Sequence, residues 1–287
     1  MDKQRKMRLE QHLNQAEIMA SRSIQRDFRK PIWRKFLSAV RTYDLIQPGD
    51  HVAACISGGK DSLALAVCLR ELAKYSDVPF KVSYLSMDPG YTQENRQRMI
   101  ENAEKLGFQL NVFDSPIFEA VESVPRGACH VCASMRRGYL YKEAKKLGCN
   151  KIALGHHLDD AVETILLSLF YGGEYKTMMP KLRSKNFEGM ELIRPLYLIR
   201  ERDIIDWQNH MGLDTLRCAC KVTRSEDGGK RKQVKDLLAR LEAETPGVFG
   251  NIFHSIEHVN LQTVLGYQLR SDSPIISVAC ADEGMDE

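Results

Sequence analysis

The sequence predicts an α/β fold, in which a parallel sheet is covered by helices on both faces. Short apolar runs alternate with helical segments of about 10–15 residues, which is the pattern of βαβ units. Two of these runs end in polar, glycine-containing turns, at 57–62 and 155–160, and a helix follows each turn. The 287 residues are 43% hydrophobic, which is enough for a core. All apolar runs are far shorter than the about 20 residues of a membrane span.

The predicted strands are short runs rich in apolar residues, as expected of buried parallel strands. In chain order they are 51–56, 81–87, 108–113 and 151–154, with a further short strand near Leu192. Turns at 48–50 and 88–90 contain proline and glycine, which interrupt regular structure and mark strand ends.

Helical periodicity predicts the connections between the strands. The predicted helices are 3–30, 33–43, 63–74, 93–106, 132–147, a helix after 155–160 that runs to Phe170, and 202–210. Residues 114–128 and most of 172–200 are predicted to be irregular.

We expect four parts along the chain, assigned from composition and helical pattern. They are a basic N-terminal helical extension (1–45), an α/β domain (46–215), a basic, cysteine-containing segment with some helix (216–270) and an acidic tail (271–287).

Basic residues are concentrated in two clusters, although the net charge is only +3. Lysine and arginine outnumber acidic residues in 1–35, and a second cluster follows Cys220. That second cluster comprises Lys221, Arg224, Lys230, Arg231, Lys232 and Lys235. Such clusters are typical of polyanion-binding surfaces, and solvated helix faces give the same pattern. The N-terminus has no secretory signal, so we expect a cytoplasmic protein whose cysteines stay reduced.

The first glycine-containing turn, 57–62, has the composition of a phosphate-binding loop. Two glycines allow the backbone to approach a ligand, and the amides at the following helix N-terminus attract an anion. Lys60 adds a positive charge, and Asp61 is expected to coordinate Mg²⁺ bound to the phosphates. The turn is not a Walker A loop, because Asp61 stands where serine or threonine is required. The predicted phosphate-binding residues are Ser57, Gly58, Gly59, Lys60, Asp61 and Ser62.

The second turn reads Gly-His-His-Leu-Asp-Asp at 155–160. A zinc hydrolase is poorly supported because the HExxH pattern is absent. The adjacent side chains of His156 and His157 are expected to point in different directions, and the two aspartates could cap the helix. Arg136 and Arg137 fit either a solvated helix face or a pairing with phosphate.

Four of the eight cysteines form two tight pairs, Cys129/Cys132 and Cys218/Cys220. The residues alone leave three alternatives open: structural zinc, a redox disulfide, or an iron–sulfur cluster held by three of these cysteines with one iron open. The remaining four are expected in the core or, for Cys280, to be incidental. The core candidates are Cys55, Cys68 and Cys149.

Several segments together resemble one enzyme superfamily, the PP-loop ATP pyrophosphatases. The first is SGGKDS at 57–62. Within the superfamily, three features resemble the tRNA 2-thiocytidine synthetase family and its relatives that make 2-thiouridine. They are CHVC at 129–132 followed by RRG, KIALGHHLDD at 151–160, and FYGG at 170–173 with PKL at 180–182. The stretch 43–50 is also similar, and the resemblance covers roughly residues 25–260.

This resemblance implies an adenine nucleotide alpha hydrolase-like PP-loop domain and an ATP-dependent tRNA sulfurtransferase. Such an enzyme adenylylates the C2 oxygen of an anticodon-loop cytidine, releases pyrophosphate and AMP, and leaves sulfur at C2. The implied cofactors are ATP, Mg²⁺ and a [4Fe-4S] cluster. The implied partners are tRNA and a sulfur donor, either sulfide or sulfur from a cysteine desulfurase. A homodimer is a further expectation, and no association with a membrane is expected.

The resemblance also implies roles for individual residues. Asp61, Asp160 and Arg136 are expected to be catalytic. Nucleotide binding is expected of the loop 57–62 together with Met87, Gly155 and His156. The cluster ligands are expected to be Cys129, Cys132 and Cys220, with Cys218 as the alternative third ligand.

Three other functions stay open on the sequence. The first is a tRNA 2-thiouridine synthetase, although the flanking zinc-binding cysteines of those enzymes are absent here. The second is an amide- or lysidine-forming PP-loop ligase whose cysteines hold structural zinc. The third is a non-catalytic, zinc-bearing RNA-binding module.

Overall fold

A six-stranded sheet forms the centre of the computed structural model, which describes residues 15–117, 128–216, 228–268 and 276–277. The strands are β1 (His51–Cys55), β2 (Lys81–Asp88), β3 (Asn111–Asp114), β4 (Lys151–Ala153), β5 (Lys181–Arg183) and β6 (Glu191–Ile193). Their order is β3-β2-β1-β4-β6-β5, and every neighbouring pair is parallel except β5 with β6. The predicted α/β class is therefore confirmed. Sequence analysis missed β5, a short and polar edge strand.

The buried side chains of β1 show why its sequence is a continuous apolar run. Val52 and Ala54 face one core cluster, and Ala53 and Cys55 face another on the opposite side of the sheet. A strand that is covered on both faces needs apolar side chains at successive positions.

Helices cover both faces of the sheet, as predicted. The chain forms α1 (15–22), α2 (Arg34–Thr42), α3 (Lys60–Tyr75), α4 (Gln93–Lys105), α5 (Ala128–Lys146), α6 (Leu158–Leu167), α7 (Glu201–His210), α8 (Gly228–Glu244) and α9 (Val248–Glu257). Helices α2, α3, α4 and α7 share one core cluster, and α5 packs on the other face. No helix in the described part of the chain is long and apolar enough to span a membrane.

The chain also contains short π-helical and 3-10 turns and one small ribbon. The π turns are Ser23–Asp27, Arg29–Trp33 and Ser168–Gly172, and the 3-10 turn is Leu261–Thr263. The ribbon pairs β7 (Gly266–Tyr267) with β8 (Ile276–Ser277) in antiparallel fashion.

Three helix boundaries differ from prediction. The expected helix 3–30 is interrupted at Phe28, and π turns connect α1 to α2. Pro31 lies within them, and a proline has no amide hydrogen to continue an α-helical ladder. Helix α5 begins at Ala128 rather than 132, and the helix expected to reach Phe170 becomes a π turn after Leu167.

The terminal helices pack on the α/β core. Trp207 of α7 is fully buried, and its Nε1 donates a hydrogen bond to Ser23 Oγ at 2.9 Å. Helices α8 and α9 contribute Val234, Leu238, Phe249 and Phe253 to a cluster with α6. Helix α8 is thereby held beside α6. The division into four parts stays a prediction.

Candidate active site

A cleft of about 530 Å³ opens beyond the carboxyl ends of β1 and β4. The strand order reverses between these two strands, and ligands of open α/β sheets bind at such switch points. The predicted residues that line the cleft are Ser57, Asp61, Ser62, Met87, Arg136, Gly155, His156 and Asp160. Cys55, Ile56, Tyr91, Arg137, Leu140, Leu154 and Arg194 complete its wall. The two glycine-containing turns thus meet at one site.

The turn at 57–62 is closed by its own polar groups. Ser62 Oγ donates to Gly59 O at 2.8 Å and accepts from Ser57 N at 3.2 Å. Helix α3 begins within this turn, at Lys60, so its first amides belong to the turn. This backbone arrangement suits an anion such as a phosphate.

Gly58 is held against the segment that leads towards the second cysteine pair. Its φ of +80° lies in the left-handed region, and a Cβ there would lie 2.7 Å from Leu216 Cδ1. Leu216 N also donates to Gly58 O at 3.0 Å. The backbone conformation therefore favours glycine, and a larger residue would also displace the Leu216 side chain.

Lys60 of this turn forms ion pairs with two carboxylates. Its ammonium lies 3.1 Å from Asp61 Oδ2 and 3.0 Å from Glu201 Oε1. Lys235 of α8 lies 2.5 Å from Glu201 Oε2, so two ammonium groups share one carboxylate. Burial raises the pKa of Glu201, but its hydrogen bonds with Lys235 and Lys60 outweigh burial and lower that pKa to about 2. This ion-pair chain joins α8 to the phosphate loop.

Substituting Glu201 by glutamine is expected to lower the free energy of unfolding at pH 7 by about 2 kcal/mol. The reason is that the partly buried ammonium groups of Lys60 and Lys235 then lose the carboxylate that pairs with both. The folded-state pKa is depressed to about 2 from 4.5. The carboxylate's contribution is therefore complete above about pH 4.5 and declines as the pH falls towards 2. Urea unfolding at pH 7 and pH 4 should show a smaller difference from wild type at pH 4.

The exposed Glu94, which pairs with Arg98 one turn along α4, supplies the matched control. Its glutamine variant should stay within about 0.5 kcal/mol of wild type, as is usual for surface pairs. A Glu201→Gln variant as stable as Glu94→Gln would show that the chain of ion pairs does not stabilise the fold.

Asp61 places a carboxylate inside the cleft. Its Oδ1 is buried and has no hydrogen-bond donor within the described residues. Burial raises the pKa of Asp61 and the charge of Asp160 raises it further, whereas His157 and Lys60 act in the opposite direction. Two interacting carboxylates that line one cleft, one of them with an unsatisfied oxygen, match the oxygen donors that Mg²⁺ prefers. The residues present therefore fit a divalent cation.

His157 caps α6 and lies between Asp61 and Asp160. Its Nδ1 accepts from Asp160 N at 3.3 Å, while Asp160 Oδ2 accepts from His157 N at 3.0 Å. This capping box means that the expected capping role of Asp160 is present beside its place in the cleft. Since Nδ1 is an acceptor, Nε2 carries the ring proton, and it lies 3.7 Å from Asp61 Oδ1.

His156 points to a different partner, as expected for adjacent residues. Its Nδ1 accepts from Arg194 Nε at 3.2 Å. Burial and the Arg194 cation lower the pKa of His156 to about 4, so the ring is neutral at physiological pH with its proton on Nε2. His156 is thus an uncharged hydrogen-bond donor in the cleft wall.

The second turn touches the first at Gly155. A Cβ at this position would lie 2.9 Å from the carbonyl carbon of Asp61 and 3.0 Å from Ser62 N. Only a residue without a side chain lets the two turns approach this closely.

The two cysteine pairs are placed only in part. Cys129 and Cys132 lie in the first turns of α5, whose later residues Arg136 and Arg137 line the cleft. Cys218 and Cys220 lie outside the described residues. Cys55, Cys68 and Cys149 are free thiols, and all three are buried, as expected. Burial raises the pKa of the Cys55 thiol to about 12 and that of Cys149 to about 11, so both stay protonated.

Sequence reasoning missed four residues of the site: His157 as a bridge, Tyr91, Arg194 and Glu201. Tyr91 follows β2 in a turn fixed by Asp88, whose Oδ1 accepts from Tyr91 N at 2.7 Å. Its position after the carboxyl end of a predicted strand could have marked Tyr91 as a candidate cleft residue. Arg194 directly follows β6 in the same way, but that strand was expected only approximately. Nothing in the local sequence pairs Glu201 with Lys60.

Comparisons with known proteins agree with this geometry. The PP-loop domain family matches residues 29–216. The tRNA-cytidine(32) 2-sulfurtransferase of Ralstonia pickettii (strain 12J) is 37% identical over 227 residues, covering 77% of this chain and 70% of that protein. The protein of the same name from Anaeromyxobacter sp. (strain K) is 37% identical over 233 residues, covering 80% of this chain and 79% of that protein.

A solved structure has a similar fold. It is the U34-tRNA thiolase NcsA from Methanococcus maripaludis with its [4Fe-4S] cluster, and the match has a TM-score of 0.63, 21% identity and 81% coverage of each chain. At that identity the likeness concerns the fold. The sequence matches go further: the chain belongs to the PP-loop family and, within it, to the family of these tRNA-cytidine(32) 2-sulfurtransferases.

Proposed function

We propose that this chain is an ATP-dependent sulfurtransferase that converts cytidine 32 of tRNA into 2-thiocytidine. The observation that carries the proposal is a PP-loop cleft in a chain 37% identical to relatives named for this activity. The names of those relatives favour a thiolase over a zinc-bearing ligase, over a non-catalytic RNA-binding module and over uridine as the target base.

The cleft would bind ATP through the backbone of 57–62 and the N-terminus of α3. Arg136, Arg137 and Arg194 line the same space and would offset the charge of the phosphates. Asp61 and Asp160 would hold Mg²⁺, which supplies charge neutralisation at the phosphates. Neutral His156 would donate a hydrogen bond from Nε2.

The proposed reaction has two substitution steps. The C2 oxygen of cytidine attacks the α-phosphorus of ATP, the bond to the β-phosphate oxygen breaks, and pyrophosphate leaves. Hydrosulfide then adds at C2, and AMP leaves with the original oxygen, so the base gains sulfur without a change in redox state. Sulfur delivered by a desulfurase must first be reduced to sulfide by two electrons from a thiol reductant. The protein contributes mainly by positioning the reactants and stabilising negative charge.

The cysteine pairs support a metal centre near this cleft. Cys132 precedes Arg136 by four residues on α5, or about 6 Å along the helix axis. Leu216 is hydrogen-bonded to Gly58, and Cys218 and Cys220 follow it by two and four residues. Even a fully extended chain therefore keeps both cysteines within about 14 Å of Leu216. Cys129, Cys132 and Cys220, or Cys218, would hold a [4Fe-4S] cluster. When bound, it supplies an open iron for the sulfur donor, sulfide or sulfur from a desulfurase.

Single cysteine variants test this ligand set. Cys129→Ala, Cys132→Ala and Cys220→Ala are each expected to lose most of the iron and sulfide of the anaerobically purified protein, because a cluster on three thiolates needs all three. Cys280→Ala should keep the full content and serves as the control. Full cluster occupancy in Cys220→Ala, with loss in Cys218→Ala, would assign the third ligand to Cys218. A colourless wild-type protein with one zinc would contradict the cluster.

The cellular test is nucleoside mass spectrometry of tRNA from a strain that lacks the gene. 2-Thiocytidine should disappear and return when the wild-type gene is restored. If every thiolated pyrimidine persists in the deletion strain, the proposed function is wrong.

A further inference from the structure

A row of exposed apolar side chains follows α6, and we call it the apolar stripe. It comprises Phe170, Tyr171, Tyr175 and Met179, which are 52%, 45%, 46% and 54% exposed. Two of these residues belong to the FYGG segment, which the cleft geometry does not use. Several large apolar groups exposed in sequence on one segment are unusual for a surface without a ligand.

The apolar stripe leads back to the cleft. The segment after the π turn runs antiparallel to α6: Glu174 N donates to Ser168 O at 3.1 Å, and Thr177 Oγ1 donates to Ala161 O at 2.9 Å. At its end, Arg194 donates to the carbonyl oxygen of Met179. The same guanidinium binds His156 in the cleft wall. The stripe therefore ends at the wall of the cleft, beside Arg194.

Positive charge accompanies the stripe. Lys230 of α8 lies 4.8 Å from the centre of the Tyr171 ring, and Tyr171 Oη donates to Gln233 at 2.9 Å. The first two turns of α8 carry four cations before the first acidic residue, Asp236. Arg231 pairs with Glu163 and Lys235 pairs with Glu201, so the positive charge beside the stripe rests mainly on Lys230 and Lys232. Tyr171 is thus held in place by α8 while nearly half of its surface stays exposed.

This combination favours RNA over a second copy of the chain. Aromatic faces accept unpaired bases of any sequence, and neighbouring lysines attract the phosphates that connect them. Lys230 and Lys232 would repel the same cations on a second copy of the chain, whereas they would attract a polyanion. Unpaired loop bases are also the part of RNA that proteins reach by stacking.

We propose that the apolar stripe binds unpaired nucleotides of the tRNA loop that flank the target base, with Phe170 and Tyr171 stacking on bases and Lys230 contacting a phosphate. This inference rests on the proposed function, because it assumes that tRNA is the substrate. The stripe aligns the loop so that the target base alone enters the cleft at Arg194.

The test measures the affinity of the holoenzyme for an unmodified tRNA transcript by filter binding at several salt concentrations. Tyr171→Ala and Phe170→Ala should each weaken binding about tenfold, with little change in the dependence on salt. Lys230→Gln should instead lower the salt slope by about one ion. Tyr171→Trp, which keeps a stacking face, should stay within about threefold of wild type. ATP affinity should be unchanged in all of them.

Tyr75→Ala is the matched control, since Tyr75 is an exposed tyrosine on α3 outside the stripe and the cleft. It should bind tRNA as wild type does. If the wild type thiolates tRNA while Tyr171→Ala and Phe170→Ala bind it with unchanged affinity, this inference is wrong and the proposed function stands. If those variants lose a dimer seen for the wild type by sedimentation, with tRNA affinity per chain unchanged, the stripe is an interface between copies. A wild-type protein that binds no tRNA overturns both proposals.

Discussion

Replacing Asp61 by asparagine is expected to lower the rate of ATP-dependent thiolation by about 10²–10³-fold. The variant keeps the size of the side chain and removes a charge that interacts with Asp160 in the same cleft. Its Oδ1 is buried without a hydrogen-bond donor in the described residues, which is a costly state unless a ligand completes it. Loss of the carboxylate should therefore weaken binding of the Mg²⁺ that we propose neutralises the phosphates.

The rate of pyrophosphate release measures this effect directly when the tRNA is limiting and ATP is in excess, so that each enzyme reacts once. Asp77→Asn, in the exposed turn after α3, is the control and should react at the wild-type rate. The Asp61 variant should also need far more Mg²⁺ for any residual rate. A rate within twofold of wild type would contradict the assignment of Asp61 as a cation ligand.

Replacing Gly155 by alanine is expected to weaken ATP binding by about tenfold or more. The added Cβ would lie 2.9–3.1 Å from backbone atoms of Asp61 and Ser62, and backbone cannot move aside as a flexible side chain can. The second turn must then shift away from the phosphate loop by a few tenths of an ångström. Because a 1 Å misplacement can cost about 10²-fold in rate, a smaller shift at the site itself should have a marked effect.

Isothermal titration with a non-hydrolysable ATP analogue measures this loss. Gly250→Ala provides the control: Gly250 lies within α9, and a Cβ there meets no atom within 4 Å. That variant should bind the analogue normally and unfold at an equal or slightly higher temperature, since alanine favours a helix over glycine. Equal affinity in Gly155→Ala and wild type would show that the two turns do not form one site.

The sheet and the position of the cleft could be predicted from sequence, because both depend on local signals. Apolar runs such as that of β1 and the glycines of the two turns are visible without knowing what packs against them. Strand β5 is polar and only three residues long, so it becomes a strand only because β6 offers it an edge. The π turns around Pro31 depend likewise on packing against the core.

The residues that complete the site were harder to predict, because long-range contacts bring them there. Glu201 lies 141 positions after Lys60 and reaches it only through the fold. Arg194 acts on His156 from the end of a three-residue strand. The segment FYGG served in sequence analysis only to support a resemblance. Its position on a stripe that ends at the cleft could be seen only with α6, α8 and Arg194 in place.

The measurement that tests the central claim most directly is a reconstituted reaction. Anaerobically purified protein is incubated with ATP, Mg²⁺, sulfide and an unmodified tRNA transcript that carries cytidine at position 32, and the nucleosides are analysed by mass spectrometry. The account predicts 2-thiocytidine at that position, with one AMP and one pyrophosphate formed for each sulfur inserted, and none without ATP. ATP cleavage and iron content at full level with no thiolated cytidine in the tRNA would contradict it.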